Sequence, residues 1–210
     1  GVLKNQIGLF ANPEMVLIDT DYLTTVTERE IKSGIAEIIK YGLTYDVKLF
    51  NKIKQDKKNN INDLIYKSID IKNKVVQQDP KEQNIRKILN FGHTLGHAIE
   101  SFYLESEDKN NLTHGEAIAI GMVLASYISS QLVDLPMETA EEIKRVFNNY
   151  YGVIPFETAD YEPIMDLLKY DKKNHHGNIN FVLLEAIGKP KIDCIVEESI
   201  ILNAFKFYAS

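Results

Sequence analysis

The sequence predicts a mainly α fold: a multi-helix domain with a small β-hairpin near its C-terminus and one short strand near its N-terminus. Three observations carry this. Apolar residues recur at three- and four-residue spacing through most of the chain. Two capping boxes, Thr27-x-x-Glu30 and Thr113-x-x-Glu116, stand ahead of such stretches. The period changes only late, where 178–185 and 191–196 are β-prone and joined by Gly188-Lys189-Pro190.

Taken in order, Met15-Val16-Leu17-Ile18-Asp19 follows Pro13 and reads as one buried strand, with no partner strand nearby. The Thr27 cap opens a helix to about Tyr45, with Ile31, Ile35, Ile38 and Ile39 on one face and Ser33, Glu37 and Lys40 opposite. The segment 54–60 is a polar connection, and a second helix spans 61–78 until Pro80 breaks it. A third helix is expected over about 82–103, followed by an acidic loop at 105–111. The Thr113 cap opens the most apolar stretch, 117–133. It falls short of the ~20 apolar residues of a membrane span and reads as a buried core helix. Further helices are expected over 138–150, which Gly152 stops, over 163–170, and over 198–208.

Composition narrows the class. The 210 residues are 44% hydrophobic and 26% charged, enough to bury a core without a disulfide or metal staple. A net charge of -6 argues against a nucleic-acid binder that relies on bulk positive charge. The single cysteine, Cys194, excludes an internal disulfide and a multi-cysteine metal site, and fits a reducing, cytoplasmic setting. Residues 1–9 have neither the charged start nor the apolar run of a secretory signal. No membrane partner is expected.

The third helix holds the chemistry. Glu82, Arg86, Asn90, His93 and His97 are spaced 4, 4, 3 and 4 apart, which places them on one helix face. An exposed face would more simply use Glu, Lys and Ala, whereas Gly92 and Gly96 each cost ~1 kcal/mol relative to Ala. The glycines permit close approach of a neighbour or a ligand. His93 and His97, four apart, could both ligate a metal, with His114 as a candidate third donor. The string His-Thr-Leu-Gly-His lacks the glutamate that a zinc-protease helix uses as base. Glu37 and Lys40 read as an i, i+3 surface ion pair worth ~0.3 kcal/mol. Lys72 falls in the apolar stripe of its helix, where an ammonium is costly unless paired or bound to an anion. Asp171-Lys172-Lys173 is by itself an ordinary charged loop.

Together the motifs resemble the 3-dehydroquinate synthase family. The strings are Lys4-Asn5-Gln6-Ile7-Gly8, Ala36-Glu37-Ile38-Ile39-Lys40-Tyr41-Gly42, Ile71-Lys72 with Val75-Val76, Arg86 to Asn90, Gly92-His93-Thr94-Leu95-Gly96-His97-Ala98, His114-Gly115-Glu116-Ala117 and Asp171-Lys172-Lys173. They occur in family order over nearly the whole chain. Pro80, where an acidic residue is usual, Leu3, where glycine is usual, and a longer His93–His114 spacing of 21 residues depart from the pattern.

The resemblance implies a C-terminal helical metal- and substrate-binding domain at 26–210. Residues 1–25 are then residual loop and one leftover strand of an absent α/β nucleotide-binding domain. It implies a metal site of Glu37, His93 and His114, normally zinc, with cobalt as the alternative. Glu82 and His97 become proton-transfer residues. Lys40, Lys72, Arg86, Asn90 and Lys172 become substrate contacts, with Lys173 as fallback for Lys172. Lys4 and the stretch Tyr22, Leu23, Thr24 and Thr25 match residual NAD contacts. The implied reaction converts 3-deoxy-D-arabino-heptulosonate 7-phosphate to 3-dehydroquinate and phosphate in the shikimate pathway. The whole enzyme is then expected to be a homodimer and this chain alone inactive. Another sugar-phosphate cyclase or a metal-dependent polyol dehydrogenase of the same superfamily is the alternative.

Overall fold

A computed structural model describes residues 13–55, 60–174 and 179–210, and side chains at all of these except 170–174. Among the described residues the order is α1 (Glu28–Thr44), α2 (Val47–Gln55), α3 (Ile61–Gln78), α4 (His93–Glu105), α5 (His114–Leu132), α6 (Met137–Tyr151), α7 (Tyr161–Asn174), β1 (Asn180–Ala186), β2 (Lys189–Ile195) and α8 (Glu198–Ala209). Short 3₁₀ helices lie at Thr20–Thr25, Ile85–Asn90 and Thr158–Asp160.

The mainly α class with one C-terminal hairpin holds. α5 is the axis of the core. It is apolar around its whole circumference, so it must be covered on every side. α1, α4, α6, α8 and β1 all pack on it. Its start is fixed by the capping box that the sequence predicts, in which the Thr113 hydroxyl accepts from the Glu116 N–H and the Glu116 carboxylate accepts from the Thr113 N–H. The Thr27 hydroxyl likewise accepts from the Glu30 N–H at the head of α1. Hydrogen bonds seat the hairpin on the helices: Leu184 N–H donates to the buried Ser129 hydroxyl of α5, and Gly188 N–H to the Leu43 carbonyl of α1. The strands are antiparallel and turn at Ile187-Gly188, two residues earlier than the Lys189-Pro190 end of the expected turn.

Four expectations are corrected. Residues 15–19 are not a strand. They have no ladder partner among the described residues, and Met15, Val16, Leu17 and Ile18 are 77%, 68%, 83% and 49% exposed. Without a neighbouring strand, neither the backbone groups nor the side chains gain what makes a strand stable. The third helix is not continuous. Gly92 takes a left-handed φ of 77°, separating the 3₁₀ helix Ile85–Asn90 from α4, and Glu82 has φ 56°. A shared helix face therefore does not explain why its polar residues meet. Lys72 is exposed, because the buried stripe of α3 runs through Leu64, Ser68, Ile71 and Val75, one position away. Lys40 is the reverse case, 3% exposed, because the C-terminal half of α1 is covered on all sides. α2, ahead of the polar connection, was not anticipated, although Val47, Leu49, Phe50 and Ile53 carry an apolar helical stripe.

Candidate metal centre and substrate site

Three helices converge on one point. α1 brings Glu37, the start of α4 brings His93 and His97, and the first residue of α5 brings His114. Close backbone contacts set the approach. At Gly115 an added Cβ would lie 2.1 Å from the Ser33 carbonyl oxygen of α1, and Gly115 N–H donates to the Ser33 hydroxyl at 2.9 Å. At Gly121 an added Cβ would lie 2.1 Å from the Gly92 carbonyl oxygen. The small residues flanking the histidines thus admit a neighbouring helix.

The three imidazoles form a triangle with centroid separations of 5.3 to 5.7 Å, and their donor nitrogens lie within 4.8 Å of one another. Glu37 Oε1 is 3.3 Å from His93 Nε2 and 3.9 Å from His114 Nε2. His93 Nδ1 lies 3.1 Å from the Phe91 carbonyl, which can only accept, so in the neutral ring Nε2 is a bare lone pair. The 3.3 Å approach to Glu37 is then two acceptors facing each other, and Oε1 is buried without a hydrogen bond among the described residues. A cation between these atoms resolves that conflict. Their separations are ones that an ion bonded to each at about 2.0–2.1 Å can bridge. One carboxylate and two imidazoles also match the donor set of a catalytic rather than a structural zinc site. These residues fit the group.

Lys40 completes this end. Its Nζ donates to Glu37 Oε2 at 2.5 Å and lies 5.5 Å from the Tyr41 ring centroid. Burial pushes the Lys40 ammonium below its usual range, Glu37 partly restores it, and the nearby charge of Lys72 lowers it further. Burial opposes charging Glu37 as well, but a His93 ring protonated at Nε2 and the Lys40 ammonium outweigh it and hold its carboxyl down at about 2. Lys72, though exposed, is therefore felt at the site.

A second group forms on the segment between α3 and α4. Asn90 Nδ2 donates to Glu82 Oε1 at 2.7 Å, Arg86 Nε lies 3.8 Å from Glu82 Oε2, and an Arg86 guanidinium N–H donates to the Pro80 carbonyl at 2.8 Å. Sequence reasoning missed what shapes it. Asp79, buried at the end of α3, accepts from the N–H groups of Gln83, Asn84 and Arg86 at 3.0, 2.7 and 3.1 Å. Its only sequence signal is the turn-forming Asp79-Pro80 pair. Glu100 was also missed. It lies 3.1 Å from His114 Nδ1, and its signal was its place seven residues after His93 on the same face of α4.

The remaining predicted residues are not gathered here. Tyr22, Leu23, Thr24 and Thr25 form a 3₁₀ helix without a buried residue, where the Thr24 and Thr25 hydroxyls donate to the local carbonyls of Asp21 and Tyr22. Lys4 lies outside the described residues, and so do the side chains of Lys172 and Lys173.

Residues 34–174 match the 3-dehydroquinate synthase C-terminal family. The chain belongs to the 3-dehydroquinate synthase family. It is 40% identical over 212 residues to the 3-dehydroquinate synthase of Parabacteroides distasonis, covering 98% of this chain and 59% of that protein. It is 40% identical over 205 residues to that of Thermoanaerobacter pseudethanolicus, covering 94% and 56%. The chain thus spans somewhat more than half the length of these relatives. A solved 2-deoxy-scyllo-inosose synthase, complexed with carbaglucose-6-phosphate, NAD+ and Co2+, superposes with a TM-score of 0.76 at 27% identity, over 97% of this chain and 58% of its own. A 2-epi-5-epi-valiolone synthase from Streptomyces hygroscopicus shares the fold with a TM-score of 0.80 at 22% identity, over 98% and 58%. No helix among the described residues is long and apolar enough to cross a membrane.

Proposed function

We propose that this chain is the metal- and substrate-binding part of a 3-dehydroquinate synthase, a carbon–oxygen lyase of the shikimate pathway. Its substrate would be 3-deoxy-D-arabino-heptulosonate 7-phosphate and its products 3-dehydroquinate and phosphate. The observation that supports this best is the unbonded, buried Glu37 Oε1 facing Nε2 of both His93 and His114. Glu37, His93 and His114 would hold zinc or cobalt, which when bound polarises a substrate alcohol or carbonyl oxygen, while NAD carries the hydride.

The chain's own residues do the rest. Lys40 holds Glu37 ionised and fixed through Oε2, leaving Oε1 for the site. Arg86 and Asn90 present forked and amide donors to the substrate's carboxylate and hydroxyls, and Lys72 and Lys172 add charge towards the anion. Asn90 holds Glu82 by Oε1, so Oε2 remains to accept and return a proton. His97, exposed beside the two ligand histidines, is the second group able to move a proton there. Tyr22 to Thr25 and Lys4 would contact NAD only once the rest of the protein is present. We expect the whole protein to be a cytoplasmic homodimer and this chain alone to be inactive.

The solved 2-deoxy-scyllo-inosose synthase favours a second reading, a cyclase acting on another sugar phosphate. Phosphate release by the full-length protein, loaded with zinc and NAD and given a panel of sugar phosphates, separates the two. Turnover of the heptulosonate phosphate supports the first reading, and turnover of a hexose phosphate alone replaces it. Binding of one zinc per chain, abolished in His93→Ala and His114→Ala, is expected under both. Undiminished zinc binding in both variants removes the ligand assignment.

A further inference from the structure

His93 and His114 present the same atom to Glu37, but what stands behind each ring differs. His93 Nδ1 rests on the Phe91 carbonyl, a neutral backbone group held by the turn at Gly92. His114 Nδ1 rests on a side chain, Glu100 Oε2, at 3.1 Å. Glu100 comes from mid-α4, while His114 opens α5. α4 therefore supplies one proposed ligand, His93, and reaches across to orient another on the next helix.

We infer that Glu100 is the positioning residue of the metal centre: it accepts the Nδ1–H of His114 and thereby fixes the ring in the tautomer whose Nε2 lone pair faces Glu37. This deepens the metal reading proposed above and rests on it. An ionised carboxylate can only accept, so a hydrogen bond to it requires the proton on Nδ1. That choice is not automatic, because the tautomer of a histidine is set by the bond its other nitrogen makes. The His114 side chain is 35% exposed and Glu37 lies 3.9 Å from its Nε2, so the ring is otherwise loosely held. Among the described residues no lysine or arginine is salt-bridged to Glu100, and His114 is its hydrogen-bond partner. Carboxylates behind ligand imidazoles orient the ring and raise its basicity, and their loss commonly weakens metal binding 10- to 100-fold.

A carboxylate at the start of α5 also suits the helix dipole, so a purely structural role must be separated. The test uses the full-length protein and zinc alone. Chelator competition is expected to give Glu100→Ala a zinc Kd about 10- to 100-fold above wild type. Glu100→Gln, whose amide oxygen can still accept, should fall between. Glu105→Ala, at the end of the same helix, should match wild type. In metal-free protein, long-range 1H–15N spectra should show His114 with its proton on Nδ1, and Glu100→Ala should move that proton towards Nε2. An unchanged zinc Kd in Glu100→Ala, or a wild-type His114 with its proton on Nε2, overturns the inference. If Glu100→Ala does not fold, the wild-type tautomer and the Glu100→Gln affinity decide. If wild type binds no zinc, the metal reading fails, while the metal-free spectrum still judges Glu100.

Discussion

The two halves of the proposed site are built by different means. The Glu37, His93 and His114 end stands on three regular helices, and its geometry follows from how closely their backbones approach at Gly92, Gly115 and Gly121. The Glu82, Arg86 and Asn90 end stands on irregular chain, where Glu82 has φ 56° and one buried carboxylate, Asp79, gathers three backbone N–H groups. The first half is held by packing spread over a core, while the loop that opens the second is gathered by one side chain. Damage to the first should therefore cost stability and metal together, whereas damage to the second should cost substrate chemistry with the metal kept.

The largest effect should come from Gly115→Ala. Its methyl would meet the Ser33 backbone at 2.1 Å, which only movement of α5 away from α1 can relieve. Overpacking of this kind costs about 1–3 kcal/mol and here should also displace His114. Urea unfolding and zinc titration check both; a normal zinc Kd in a destabilised variant would show that the ligand end does not depend on that contact.

Next, Asp79→Ala should lower kcat/KM of the full-length enzyme on the order of tenfold to a hundredfold, as misplaced contact groups do, with zinc affinity unchanged. Equal losses of metal and turnover would erase the distinction between the halves.

A third effect is pH-dependent. Burial alone would raise the Asp79 carboxyl, but the three N–H groups and Arg86 outweigh it and hold it below the ordinary carboxylate range. A depressed folded value means that the stabilisation is complete above the unfolded value near 3.8 and is lost as pH falls through the folded one. Wild type should therefore lose stability on acidification below about pH 4 more steeply than Asp79→Asn. Parallel pH–stability curves would refute this.

The smallest effect belongs to Arg29, which forks onto Glu116 at 2.9 and 2.7 Å and bonds the Asn111 carbonyl at 2.8 Å, tying α1 to the head of α5 from the solvent side. Exposed pairs contribute little, so Arg29→Ala should cost about 0.5–1 kcal/mol in urea unfolding with no change in zinc Kd. A metal defect would show that the surface pair, and not the glycine contacts, sets the α1–α5 approach.

The helix caps at Thr27 and Thr113, the stop at Gly152 and the β-prone tail were legible because each depends on residues a few positions apart. The strings around Glu37, His93 and His114 stood out as motifs of the family, and the structure brings these three side chains together. The continuous helix over 82–103 was misread for the converse reason. Polar residues at four-residue spacing fit a helix face, but a left-handed glycine and a buried Asp79 decided otherwise. Lys72 is exposed because one residue of rotation about a helix axis, about 100°, separates buried from exposed, whereas Lys40 is buried because the end of α1 is covered on every side.

By itself, then, the sequence determined the mainly α class, the caps that open α1 and α5, the stop of α6 at Gly152 and the C-terminal hairpin. Only the tertiary structure decided that residues 37, 93 and 114 share one point, that Lys40 is buried against Glu37, and that Glu100 stands behind His114. Propensity and capping act within a turn or two of chain. The meeting of α1, α4 and α5 is set by backbone contacts between residues some 30 to 80 positions apart, which no local pattern records.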